Sequence, residues 1–134
     1  RIDHHSVDLG GAVGGTGRGQ TIGLGQNPVG GQPAQPGDVI RFVPTDPSHN
    51  AETLATMLPD GATGGRGAIN AVFELRVDRP GVYGIKCAPH YGMGMVAVIA
   101  VGRSWPNLAA MRAAVARTPV LARRRFNALL DQLG

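Results

Sequence analysis

From Asp38 onward, apolar and polar positions alternate with a period of two. In "DVIRFVP", Ile40 and Phe42 fall on one face and Arg41 on the other, a strand ended by Pro44. In "AVFELRVD", Phe73, Leu75 and Val77 face one way while Glu74 and Arg76 face the other. "RPGVYGIKC" opens on a Pro-Gly turn and runs into another strand, and "MVAVIAV" is an apolar strand bounded by Gly102. Between these runs, "PTDPSHN" and "DGATGGRG" are turn-rich, and "AETLATMLP" predicts one short helical turn. After Gly102 the period changes. Leu108, Met111 and Val115 recur at helical spacing behind a cap at Ser104 or Asn107. Thr118-Pro119 reads as an N-cap and first helical position, followed by Phe126, Leu129, Leu130 and Leu133 at i, i+3, i+4 and i+7. The expected fold is mainly antiparallel β, a sandwich or barrel, carrying two short C-terminal α-helices, with Trp105 as a packing anchor at the hand-over.

Residues 1–35 follow neither period. Ten of the 21 glycines lie there, with two of the ten prolines, and from Gly10 to Gly37 the large apolar residues Val13, Ile22, Leu24 and Val29 are sparse. This stretch is expected to be an irregular Gly/Pro-rich segment or flexible tail, with at most irregular edge strands around Thr21–Leu24. The chain thus divides into residues 1–35, a β core over 36–102, and a helical extension of the same domain over 103–134.

Composition adds little beyond bounds. A 43% hydrophobic fraction suits a globular chain of 134 residues, and 4% aromatics leave packing to aliphatics and alanine. The net charge of +4 and pI near 10.2 favour acidic partners. The arginines are dispersed apart from Arg123, Arg124 and Arg125, and no aromatic-plus-basic motif suggests nucleic-acid binding. No apolar run approaches the ~20 residues of a membrane span. The first residues lack the apolar core of a secretion signal. "GGTGRGQ" lacks the Gly-Lys-Ser/Thr ending of a phosphate loop, and His4 and His5 read as solvated tail residues rather than a second metal site.

Chemistry concentrates in "KCAPHYGMGMV". A lone cysteine, here Cys87, is buried filler, a nucleophile or a metal ligand. No base-orienting partner marks it as a catalytic thiol. His90 and Met95 follow in the same loop between two strands, and His49 lies at the end of an earlier strand. One thiolate and two imidazoles suit copper in a nearly trigonal plane, with a thioether as a long axial ligand. Zinc would favour more thiolates or a carboxylate, and an iron–sulfur cluster more cysteines. With four histidines, two of them in the tail, the chain has no set for a second, catalytic copper, so an enzyme is not expected.

"DVIRFVPTDPSHNAET", "GVYGIKCAPHYGMGM" and "VAVIAVG" together resemble the pseudoazurins, small cupredoxins of the bacterial periplasm, over roughly residues 36–134. The resemblance implies a cupredoxin-like Greek-key β-sandwich, and one type 1 (blue) copper ion held by His49, Cys87, His90 and Met95. It also implies that the backbone amide of Asn50 donates to the thiolate sulfur. Pro89 removes an amide donor beside the exposed histidine, and Met93 does not ligate. The implied function is one-electron transfer in the periplasm by a monomer. Its transient partners would be copper nitrite reductase or c-type cytochromes, met through an apolar patch at His90, Pro89 and Met93. Storage or delivery of copper is the alternative use of the same ligands. Two departures accompany the resemblance. The family's ring of lysines is replaced by arginines around a single Lys86. The family's two opening strands and its methionine near the ligand histidine have no counterpart in residues 1–35, which read as a diverged or frame-shifted segment, leaving Phe42 and Phe73 exposed.

Overall fold

The structure, a computed structural model, describes residues 4–9, 20–22 and 34–133. Two sheets face each other. The first holds β1 (His4–Leu9), β3 (Asp38–Pro44) and β5 (Phe73–Val77) in the order β1-β3-β5. The second holds β2 (Gln20–Ile22), β4 (Glu52–Thr53), β6 (Gly81–Lys86) and β7 (Val96–Val101) in the order β2-β7-β6-β4. Helices α1 (Leu108–Val115) and α2 (Val120–Asp131) follow.

The core between the sheets is the product of the period-two pattern. Ile40, Phe42, Leu75 and Val77 from the first sheet meet Tyr83, Ile85, Ala97, Ile99 and Val101 from the second. Arg41 and Glu74, paired across β3 and β5, lie on the outer face. The alternate residues of the second sheet, Val82, Val96 and Val98, point to a second core with Met57, Met111, Val115, Phe126, Leu129 and Leu130. Strand β7 is therefore buried at all six positions. Trp105 packs against this second core, as its place between strand and helices suggested.

Sheet pairing is antiparallel for the most part, with two parallel pairs added. β1 runs parallel to β3, from His4 opposite Val39 to Leu9 opposite Pro44, and β2 runs parallel to β7. β3–β5, β4–β6 and β6–β7 are antiparallel. Both parallel strands come from the stretch whose composition promised at most irregular edges. β2 overlaps the expected strand around Thr21–Leu24, whose last two residues, like the rest of the expected tail over 10–19 and 23–33, lie outside the described residues. So do the side chains of His4 and His5. The expected exposure of Phe42 is corrected: Val7 of β1 joins the same core, and Phe42 is fully buried. Phe73 is half-buried and stacks on Phe42 with ring centroids 6.0 Å apart.

Three local expectations also change. "AETLATMLP" forms β4 and turns rather than a helical turn, because Thr53 and Leu54 bond to Gly65 and Gly84 of neighbouring segments. Asn107 occupies the cap position of α1, but its side chain does not cap. It accepts from the Val82 N–H (2.9 Å) and donates to the Val82 carbonyl (2.8 Å), closing the β6 edge. Pro119, not Thr118, is the cap of α2, and the Thr118 hydroxyl donates back to the Val115 carbonyl at 2.7 Å. At the end of the sandwich opposite the 87–95 loop, the Tyr83 hydroxyl donates to the Arg79 carbonyl (2.9 Å) and accepts from its N–H (3.1 Å), a tyrosine corner.

Candidate metal centre

Cys87 is the first residue beyond β6, and Met95 the last before β7. The two strands pair in register up to Lys86 opposite Val96, and the Cys87 N–H donates to the Met95 carbonyl at 3.0 Å. The loop between them is thereby held at its base. Its interior is a 3-10 turn over Ala88–Met93, broken at His90 (φ −120°, ψ 18°). The His90 N–H donates to the Cys87 carbonyl and the Met95 N–H to the His90 carbonyl. Gly94 ends the turn at φ 86°, and a Cβ there would lie 3.2 Å from the Leu121 carbonyl oxygen, so glycine serves both the left-handed backbone and the approach of α2.

His49 is presented by a separate loop. Ser48 (φ 74°) and Asn70 (φ 67°) both adopt left-handed backbone, uncommon outside glycine. They lock together: the Ser48 N–H donates to Asn70 Oδ1 at 2.6 Å, and the Asn70 N–H donates to the His49 carbonyl at 2.9 Å.

These two loops bring three donor atoms to one point. Cys87 Sγ lies 3.7 Å from His49 Nδ1 and 3.6 Å from His90 Nδ1, and the two Nδ1 atoms are 3.1 Å apart. His49 and Cys87 are buried, His90 half-buried, and the imidazole planes meet at 58°. A planar three-coordinate ion with bonds of about 2.0 Å to nitrogen and 2.3 Å to sulfur would separate N from S by about 3.7 Å. The sulfur–nitrogen edges fit that triangle, and the N–N edge is slightly short of the roughly 3.5 Å it implies. The donor set is that of a copper site with a single thiolate. Met95, nearly fully buried, belongs to the same core cluster as Cys87. Burial pushes the Cys87 thiol up, and the backbone N–H groups of Asn50 and His90 facing its sulfur pull it partly back.

Two features escaped sequence reasoning. The side chain of Asn50, almost fully buried, ties the His49 loop to the cysteine loop. Its Oδ1 accepts from the Ala88 N–H at 2.7 Å, and its Nδ2 donates to the Gly67 carbonyl (3.0 Å) and to Glu52 Oε1 (3.1 Å). The only hint was the adjacency of His49 and Asn50. The second is apolar surface beside the loop. Ala88, Pro89 and Met93 are exposed, as are Val120 and Leu121 of α2, and Leu121 borders the loop at Gly94. No local pattern could place α2 there.

Comparison with known proteins agrees with this site. Residues 33–102 match the family model of copper-binding proteins of the plastocyanin/azurin family. The chain is 49% identical over 100 residues to pseudoazurin of Paracoccus pantotrophus, a match over 75% of this chain and 68% of the relative. It is 42% identical over 99 residues to pseudoazurin of Methylorubrum extorquens, over 74% of this chain and 66% of the relative. Among solved structures, the pseudoazurin of Methylobacterium extorquens AM1 superposes with a TM-score of 0.78 at 33% identity, over 98% of this chain and 100% of that one. The pseudoazurin of Hyphomicrobium denitrificans gives 0.69 at 27%, over 96% and 97%. The fold is that of the cupredoxins, the cofactor is copper, and the chain belongs to the copper-binding plastocyanin/azurin family, among its pseudoazurins.

Proposed function

We propose that His49, Cys87, His90 and Met95 hold the copper ion and that the chain is a periplasmic monomer carrying single electrons. Bound copper supplies a one-electron couple between its two common oxidation states. The chain supplies the rest. Cys87 would give the strong thiolate donor, His49 and His90 two imidazole donors, and Met95 a weak thioether donor. Asn50 and the β6–β7 register hold the cysteine loop against the His49 loop, so the ligand cage is fixed before and after an electron passes. Burial of His49 and Cys87 keeps water from the ion. His90, the half-exposed member, is the electron's exit, and Pro89 beside it removes an amide donor.

The docking face lies around that exit: Pro89, His90 and Met93, continued by Val120 and Leu121. Arg117, Arg123 and Arg124 are exposed near the start of α2. An apolar centre with cations beside it suits brief encounters with redox proteins such as copper nitrite reductase or c-type cytochromes, where charge sets the on-rate more than affinity.

The observation that carries this reading is the convergence of one sulfur and two imidazole nitrogens from positions 38 and 41 residues apart in sequence. Adding Cu(II) to the metal-free protein should give an intense copper–thiolate charge-transfer band in the visible spectrum, and Cys87→Ser should abolish it. A protein that stays colourless and retains only Cu(I) would instead support storage or delivery.

A further inference from the structure

Glu52 sits where three segments meet. The register of β4 places it opposite Lys86, the residue before Cys87, and a bridge joins it to Arg66. Its side chain is only 14% exposed, well covered for a carboxylate. Oε1 accepts from Asn50 Nδ2 at 3.1 Å and lies 3.4 Å from Arg66 Nε, while Oε2 lies 4.0 Å from Lys86 Nζ. Lys86, the chain's single lysine, in turn lies 4.8 Å above the ring of Tyr91 in the cysteine loop.

The amide of Asn50 could in principle face either way. Turned as found, its oxygen meets the Ala88 donor and its nitrogen meets two acceptors, the Gly67 carbonyl and Glu52. Flipped, it would oppose oxygen to oxygen twice and nitrogen to N–H once. Glu52 is the charged half of that preference, and a charged acceptor makes the stronger bond. Its charge lies across the β4–β6 pair from Lys86, one residue from the Cys87 thiolate. Arg66 is largely in water, so it screens Glu52 incompletely.

We propose that Glu52 is a positioning residue of the copper centre: it fixes the Asn50 amide that grips the cysteine loop at Ala88, and its negative charge favours the oxidised holoprotein over the reduced one. This rests on the copper reading above. Two variants separate the two roles. Glu52→Gln keeps an acceptor of the same size but removes the charge, whereas Glu52→Ala removes both.

The first measurement is the redox equilibrium of each copper-loaded variant against a mediator. Both should shift toward the reduced form by roughly threefold to tenfold, the order expected of one unit charge acting through partly screened protein. The second is hydrogen exchange of the Ala88 amide in the metal-free protein, which should stay near the parent rate in Glu52→Gln and quicken at least several-fold in Glu52→Ala. An unchanged redox ratio, a shift toward the oxidised form, or equal Ala88 exchange in both variants would overturn the assignment. Failure of the copper reading itself shows separately, as absence of the charge-transfer band in the unsubstituted protein.

Discussion

Asn50→Ala removes three hydrogen bonds from a residue that is 3% exposed. The groups left behind differ. The Ala88 N–H is on an exposed residue and can recover water, the Gly67 carbonyl belongs to a buried one, and Glu52 keeps Arg66 and Lys86. With about 0.5 kcal/mol for the first, about 1.5 for the second and about 1 for the third, the loss is roughly 3 kcal/mol. For a chain of this size that lowers the midpoint of thermal unfolding by about 10 °C. Asn50→Asp sharpens the case. It preserves an acceptor for Ala88 but sets its second oxygen against the Gly67 carbonyl and the Glu52 carboxylate, so it should cost at least as much as alanine. Thermal unfolding followed by circular dichroism on the metal-free protein is the appropriate assay, because bound copper adds its own stabilisation. If Asn50→Asp were as stable as the parent, or Asn50→Ala cost under about 1 kcal/mol, the amide would not be the clasp between the two loops.

Burial raises the Tyr83 phenol above its ordinary range, so the stability tied to its neutral form is complete below about pH 10 and is lost as pH rises through the higher folded value. Tyrosinate absorbance and unfolding should therefore appear together in an alkaline titration, and Tyr83→Phe should shift the alkaline limb upward while costing about 1–2 kcal/mol at neutral pH, from the two Arg79 hydrogen bonds. Gly84→Ala would place a Cβ 2.5 Å from Met57 Sδ and 2.7 Å from Met57 Cβ, and urea unfolding should show a loss of about 1–3 kcal/mol.

The elements most legible in the sequence were those with a strict period and nearby punctuation. β3 and β5 alternate cleanly and are bounded by Pro44 and Asp78, and Phe126, Leu129 and Leu130 mark the buried side of α2. The candidate ligand loop was legible for a different reason: Cys87, His90 and Met95 are close in sequence, so spacing alone constrains them. What was illegible depended on distant partners. β1 has little pattern of its own, and the neighbouring β3 supplies its hydrogen bonds. Asn107 and Thr118 carry the right residue types for caps, yet a free strand edge and a preceding carbonyl compete for their side chains and win. The grip of Asn50 on Ala88 spans 38 residues, a distance at which composition is silent.

Most strands can slide by two residues and keep the same side inward. β7 has less freedom, because Ala97, Ile99 and Val101 fill one core while Val96 and Val98 fill another of different shape. Moving it would empty one layer and crowd the other. Since Cys87 and Met95 are anchored to the first rung of that hairpin, their spacing is inherited from aliphatic packing on both sides and needs no bound ion to set it. Gain or loss of copper is then a local event at one tip of a framework already set.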